Sequence, residues 1–152
     1  MAETKSSTSS SEVPNTQELR MRMLEREMAE IKKEEELRRR KLKEHDDFVD
    51  NFLTKEVTDE ERATIRRLVR IAAENGRTEA LVYSFPSDLC SDGGRAINSA
   101  QPDWPDTLQG KARELYERYV KVARPKGYRL KAMIINFPGG IPGDVGFYLD
   151  WK

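Results

Sequence analysis

The loop from Asp88 to Arg95 holds the side chains best suited to chemistry, because Asp88, Gly93, Gly94 and Arg95 fall close together there. Ligands of α/β proteins bind at the carboxyl ends of strands, and this loop follows a predicted strand. Two glycines allow backbone N–H groups to approach an anion, and an arginine adds positive charge. The pattern suggests an anion site. The alternative, which we favour, is a loop in which an aspartate caps a helical turn and pairs with Arg95.

A second glycine-bearing loop, Pro138 to Asp144, joins the last two predicted strands and contains Pro-Gly twice. Proline followed by glycine is typical of a shaped turn. A helical crossover between the first two strands would make them run in the same direction. The loop would then leave the sheet beside the Asp88 loop, where Gly139, Gly140 and Asp144 could face Arg95. Turn formation alone explains the same residues.

The chain has one cysteine, Cys90, and one histidine, His45. We expect Cys90 to be a buried thiol and not a nucleophile, since its only possible imidazole partner lies on a highly charged helix. A zinc site needs more nitrogen and sulfur ligands than the chain supplies. We therefore predict no catalytic residues, no metal site and no cofactor.

Arg62, Arg66 and Arg70 recur every four residues and form a basic stripe on a predicted helix. Such a stripe is suited to contacts with phosphates. However, lysine plus arginine and aspartate plus glutamate both number 27, so the chain carries no net charge. We interpret the stripe as a solvated face and expect no nucleic-acid partner.

Residues 15 to 56 form a long charged helix in this interpretation, because proline and glycine are absent and helix-forming residues dominate. In a heptad that takes Met21 as an a position, apolar residues recur at the a and d positions, but Glu35, Arg38 and His45 interrupt them. The pattern indicates a coiled coil that binds a protein partner or a second copy. The alternative is a solvated single helix stabilised by ion pairs. The predicted interface residues are Met21, Leu24, Met28, Ile31, Leu42, Val49 and Phe52.

The predicted order of helices and strands that position these residues indicates an α/β (α+β) fold. Residues 1 to 14 are rich in serine and threonine and are expected to be disordered. Residues 58 to 152 are expected to form a compact α-β-α-β-β domain with a small mixed three-stranded sheet. Thr58 and Glu61 form a capping box for its first helix. The third helix of the chain is predicted to run from about Thr107 to Ala123.

Composition limits the cellular setting. No run of residues is apolar enough to span a membrane, and the first residues lack the basic start and apolar core of a secretory signal. A single cysteine fits a reducing compartment. We therefore expect a cytoplasmic protein without a membrane partner.

The sequence thus favours a non-enzymatic adaptor, regulatory or assembly protein that acts through its N-terminal helix. Two further interpretations remain. One is a domain that binds or transforms a small anion in the 88–95 and 138–144 loops. The other is a nucleic-acid binder that uses the arginine stripe.

Overall fold

The computed structural model describes residues 12–152, so most of the predicted disordered segment lies outside the described residues. The chain divides into two compact units, Met1–Asp47 and Phe48–Lys152. The first unit contains most of helix α1, Thr16–Thr54. The other helices and strands of residues 12–152 belong to the second unit.

Helix α1 begins where the sequence predicts it. The Asn15 side chain accepts a hydrogen bond from the Glu18 N–H over 2.8 Å, which satisfies one of the free donors of the first turn. The helix continues for 39 residues without proline or glycine and ends at Thr54. Its last turn contains Phe52, which is only 1% exposed. The second unit therefore begins before Thr58, the predicted start of the compact domain, because Phe52 lies in its core.

Helix α2, Asp59–Glu74, carries the predicted capping box. The Thr58 side chain accepts from the Glu61 N–H over 3.1 Å, and the Glu61 carboxylate accepts from the Thr58 N–H over 3.0 Å. The helix stops at Asn75, and Gly76 follows with a φ of 76°. Glycine adopts this left-handed conformation without strain and is common just after a helix.

The sheet contains β1 (Glu79–Pro86), β2 (Arg129–Ile134) and β3 (Asp144–Asp150) in the order β1-β3-β2. Both hydrogen-bonded pairs are antiparallel. This corrects the predicted mixed sheet. β1 and β2 do run in the same direction, but β3 lies between them, so no parallel pair forms. The central place of β3 buries Val145 and Phe147 on its core face, at 0% and 1% exposure, and leaves Leu149 partly buried.

The second helical segment over the sheet differs from the single helix predicted from Thr107 to Ala123. A four-residue helical turn, Arg95–Asn98, and a 3₁₀ turn, Trp104–Thr107, come first. Helix α3 then spans Gly110–Arg118. A π-helical turn, Tyr119–Ala123, and a 3₁₀ turn, Arg124–Lys126, extend α3 towards β2. Gly110, the first residue of α3, has a φ of 57°, and its backbone lies so close to Phe52 that an added Cβ would overlap the Phe52 carbonyl group.

Aromatic side chains form the centre of the core. The Phe85 ring lies 5.4 Å from the Phe52 ring and 5.3 Å from the Phe147 ring, measured between centroids. Such pairs add to the stability that burial itself provides. The core therefore joins the end of α1 to the first and third strands.

Candidate functional site

Helix α1 exposes five of the seven apolar residues that were predicted to form an interface. Their exposed fractions run from 51% for Leu24 to 61% for Met28. Met21, Ile31 and Leu42 lie between these values, at 54%, 54% and 58%. Packing among residues 12–152 therefore leaves at least half of each of these side chains exposed.

Two of the predicted interface residues lie in the second unit. Phe52 is buried, and Val49 packs against the same core cluster. Their side chains stabilise the fold of this unit, and we leave both out of the interface. The helical period could not separate these residues from Met21 or Leu24, since it reports only that they share a side of the helix.

The two glycine-bearing loops lie side by side. The Ser87 N–H donates to the Gly143 carbonyl over 2.8 Å, and the Ser87 hydroxyl lies 3.1 Å from the Pro142 carbonyl. The loops therefore leave the same edge of the sheet, which is the placement expected from the common direction of β1 and β2.

Hydrogen bonds within the loops account for much of their polar chemistry. Asp92 accepts from the N–H groups of Gly94 and Ala96 over 2.9 and 2.8 Å and so caps the turn Arg95–Asn98. The Asp144 carboxylate lies 3.1 Å from the Asn136 amide. Arg95 and Asp88 are exposed, and Arg95 forms no ion pair among residues 12–152.

The glycines of these loops serve different needs. A Cβ at Gly94 would lie 2.9 Å from the Ser87 Cβ and 3.5 Å from Ile134, so this glycine permits close packing. Gly93, Gly139 and Gly140 have positive φ values and open space around them, which is typical of turn residues. Among residues 12–152, neither Arg95 nor Asp88 has an ion-pair partner, so the two loops carry an exposed charge of each sign.

Cys90 is 3% exposed and belongs to the core. Burial raises the pKa of its thiol to about 11, although a hydrogen bond with Thr107 opposes the shift, and the charges of Asp92 and Asp88 add to it. The thiol is therefore protonated at neutral pH. A thiol in this state is a poor nucleophile.

The arginine stripe is not a uniform surface. Arg62 is held by an ion pair with Asp59 and donates to the Val57 carbonyl over 2.9 Å. Arg66 lines a cleft in the second unit, whereas Arg70 is exposed and does not line it. The three arginines therefore have different surroundings: Arg62 makes structural contacts, Arg66 lines the cleft and Arg70 is solvated.

This cleft, called the basic cleft below, has a volume of about 360 Å³ and lies between α2 and the segment from α3 to Lys126, over the sheet. No local sequence pattern predicts this cleft, because its lining comes from α2, from the segment that starts with α3 and from all three strands. Its apolar lining includes Ile65, Val69, Leu115, Val122, Leu130 and Leu149.

Every charged side chain that lines the basic cleft is a cation: Arg62, Arg66, Arg118 and Lys126. Among residues 12–152, only Arg62 of these has an ion-pair partner within 4.0 Å. The remaining cations therefore create a positive potential at the mouth of an apolar cavity.

Two backbone irregularities occur in the lining. The register of β1 against β3 shifts between Leu81 and Tyr83, so Val82 is an extra residue in β1. This bulge brings both Val82 and Tyr83 to the cleft. On the opposite side, the π-helical turn Tyr119–Ala123 supplies Tyr119, Val122 and Ala123. Bulges and π-helical turns occur often at functional sites.

Residues 12–152 contain no group of three or more histidine, cysteine, aspartate or glutamate side chains arranged to hold a metal ion. None of the helices in this part of the chain combines the length and apolarity needed to cross a membrane. Compared with known proteins, the chain matches no family model, no curated protein and no solved structure.

Proposed function

We propose that the protein is a non-enzymatic assembly or adaptor protein that associates through α1. The contact surface is its exposed apolar seam, which consists of Met21, Leu24, Met28, Ile31 and Leu42. The single observation that supports this is the exposure of Met21, Leu24, Met28 and Ile31, each more than half exposed on a 39-residue helix. Burying such side chains against another helix contributes about 1.5 to 3 kcal/mol each when burial is complete.

Charge complementarity favours a second copy as the partner. In a parallel, in-register pair of helices, each g residue lies near the e residue five positions later on the other helix. The fifth such pair within α1, Phe48 with Leu53, is apolar, but the other four combine opposite charges. These four pairs are Arg20 with Glu25, Glu27 with Lys32, Glu34 with Arg39, and Lys41 with Asp46.

The interruptions of the seam bear on the strength of the pair. Glu35 and Arg38 occupy an a and a d position in neighbouring layers, and His45 occupies the next d position. Polar residues at such positions reduce stability and favour one register. We therefore expect a dimer of moderate affinity, with a Kd of about 1 to 10 µM.

A charge-swap experiment on the full chain tests both association and orientation. Variant one carries Glu27→Lys and Glu34→Lys, and variant two carries Lys32→Glu and Arg39→Glu. Each variant alone should be a monomer at concentrations where the wild type is a dimer, because its g–e pairs repel. An equimolar mixture should form a heterodimer, because all swapped pairs attract. Light scattering measures the mass.

The matched control for variant two is Lys33→Glu with Arg40→Glu. It replaces the same residue types one position later in the sequence, at the outward f positions. This control should remain a dimer. A wild-type chain that is monomeric at about 100 µM would contradict the proposal. If the wild type is a dimer but the mixture does not form a heterodimer, the parallel, in-register arrangement is wrong.

A further inference from the structure

We propose that the basic cleft binds a small amphipathic anion, with an apolar chain or ring system inside the cleft and a carboxylate or phosphate at its mouth. The inference is independent of the association through α1, since every residue that lines the cleft belongs to the second unit.

The size and lining of the cleft are the first argument. Small-molecule sites are mostly apolar cavities of about 300 to 1,000 Å³ with a few polar groups, and the volume of about 360 Å³ lies within this range. The core residue Phe147 lines the cleft together with Leu130 and Leu149, which are partly buried against the core. Val122 is 46% exposed although it lines the cleft, so apolar surface remains in contact with solvent.

The charge at the mouth is the second argument. Arg66, Arg118 and Lys126 are exposed and come from two different segments. Acidic side chains close to the cleft have other partners: Glu61 binds Lys111 over 2.7 Å, and Glu114 accepts from the Val57 N–H over 2.9 Å. The free cations are therefore available for an anion, which would also reduce their mutual repulsion.

The hydroxyl of Tyr83 is the third argument. Its ring packs near Phe85 and Phe147, with centroid distances of 6.2 and 6.3 Å. The side chain lines the cleft because the bulge at Val82 turns it to the core face, next to its cross-strand partner Phe147. Among the described residues the hydroxyl has no hydrogen-bond partner, so it can donate to a ligand oxygen.

Isothermal titration of the full chain with decanoate tests the proposal, with decylammonium as the probe of equal length and opposite charge. Decanoate should bind with a Kd of about 100 µM, a value typical of a ligand of this size, and decylammonium should bind at least about tenfold more weakly. Decyl phosphate distinguishes the head groups, because a phosphate-selective site would bind it more tightly than decanoate.

Two variants locate the site. Arg66→Gln with Arg118→Gln should weaken decanoate binding at least about tenfold, whereas Arg70→Gln, on the same helix but outside the cleft, should leave it unchanged. Val122→Trp should abolish binding by filling the cleft. Because Val122 is 46% exposed, this change should leave the thermal unfolding temperature close to that of the wild type.

Failure of decanoate and decyl phosphate to bind at about 1 mM would overturn the proposal. Equal binding of decanoate and decylammonium would do the same, since the cations would then be irrelevant. If both anions fail but an acidic amphipathic peptide binds and Val122→Trp prevents it, the cleft is a protein-docking groove and not a small-molecule site.

Discussion

At the scale of single residues, Gly110 shows how one position joins two parts of the second unit. It starts α3 with a φ of 57°, and an added Cβ would overlap the carbonyl group of Phe52. A side chain at this position would therefore meet both backbone strain and a steric clash. Neither problem could be relieved by a rotamer change, since the obstructing atoms belong to the backbone.

Gly110→Ala should lower the free energy of unfolding by more than about 3 kcal/mol. The matched control is Gly139→Ala, because Gly139 has a similar φ of 64° but nothing within 4 Å of an added Cβ. The control should cost only the strain of the left-handed conformation, roughly 1 kcal/mol. Urea titration of both variants measures the difference. Equal losses would show that the contact with Phe52 does not constrain the helix.

At the scale of elements, an ion pair ties α2 to α3. Lys111 is 6% exposed, and its ammonium lies 2.7 Å from the Glu61 carboxylate. Burial opposes ionisation of Glu61, but hydrogen bonds from Lys111 and Thr58 outweigh it, so the pKa of Glu61 lies below its ordinary value of 4.5. The same carboxylate thus caps α2 and holds α3.

Lys111→Met should lower the free energy of unfolding at pH 7 by about 1 to 3 kcal/mol. Because the pKa of Glu61 is lower in the folded state, the contribution of the pair is fully present above pH 4.5. It disappears as the pH falls through the folded-state pKa. The difference between wild type and variant should therefore shrink below pH 4.5, which denaturation at a series of pH values measures.

Lys131→Met is the control for this prediction. The Lys131 side chain is 43% exposed and pairs with Glu79 over 2.6 Å and with Asp150 over 3.6 Å. An exposed pair contributes at most about 1 kcal/mol. If Lys111→Met lowers the free energy of unfolding by no more than Lys131→Met does, the ion pair between Lys111 and Glu61 stabilises the fold no more than a surface ion pair.

At the scale of the whole molecule, the boundary of the compact unit decides what folds independently. The unit begins at Phe48, and its core includes Phe52 at 1% exposure. Val57, at 3%, is buried as well. The last turns of α1 therefore contribute both a helix end and an aromatic anchor to this unit.

We expect a fragment of residues 48–152 to unfold cooperatively, and a fragment of residues 58–152 to be less stable by about 3 to 5 kcal/mol. The loss reflects the missing Phe52 side chain, so Phe52→Ala in the full chain should reproduce most of it. Circular dichroism during thermal unfolding measures both comparisons. Equal stability of the two fragments would show that the end of α1 is dispensable.

Features that depend on neighbouring residues followed from the sequence alone. Thr58 and Glu61 predicted a capping box because both partners lie within one helical turn. The common direction of the first two strands correctly placed the two loops at one edge of the sheet. Each of these inferences needs only local spacing or the handedness of a crossover.

Features that depend on distant residues required the tertiary structure. Either β2 or β3 could lie beside β1, and no local sequence pattern indicates which of them does. The antiparallel sheet was therefore not predicted. The burial of Phe52 depends on Phe85, a distant residue, whereas heptad spacing predicts the same role for Phe52 and Leu24. The basic cleft likewise exists because Arg66, Arg118 and Lys126 converge from separate segments. Sequence periodicity identifies which residues share a face of an element, but only packing determines what that face meets.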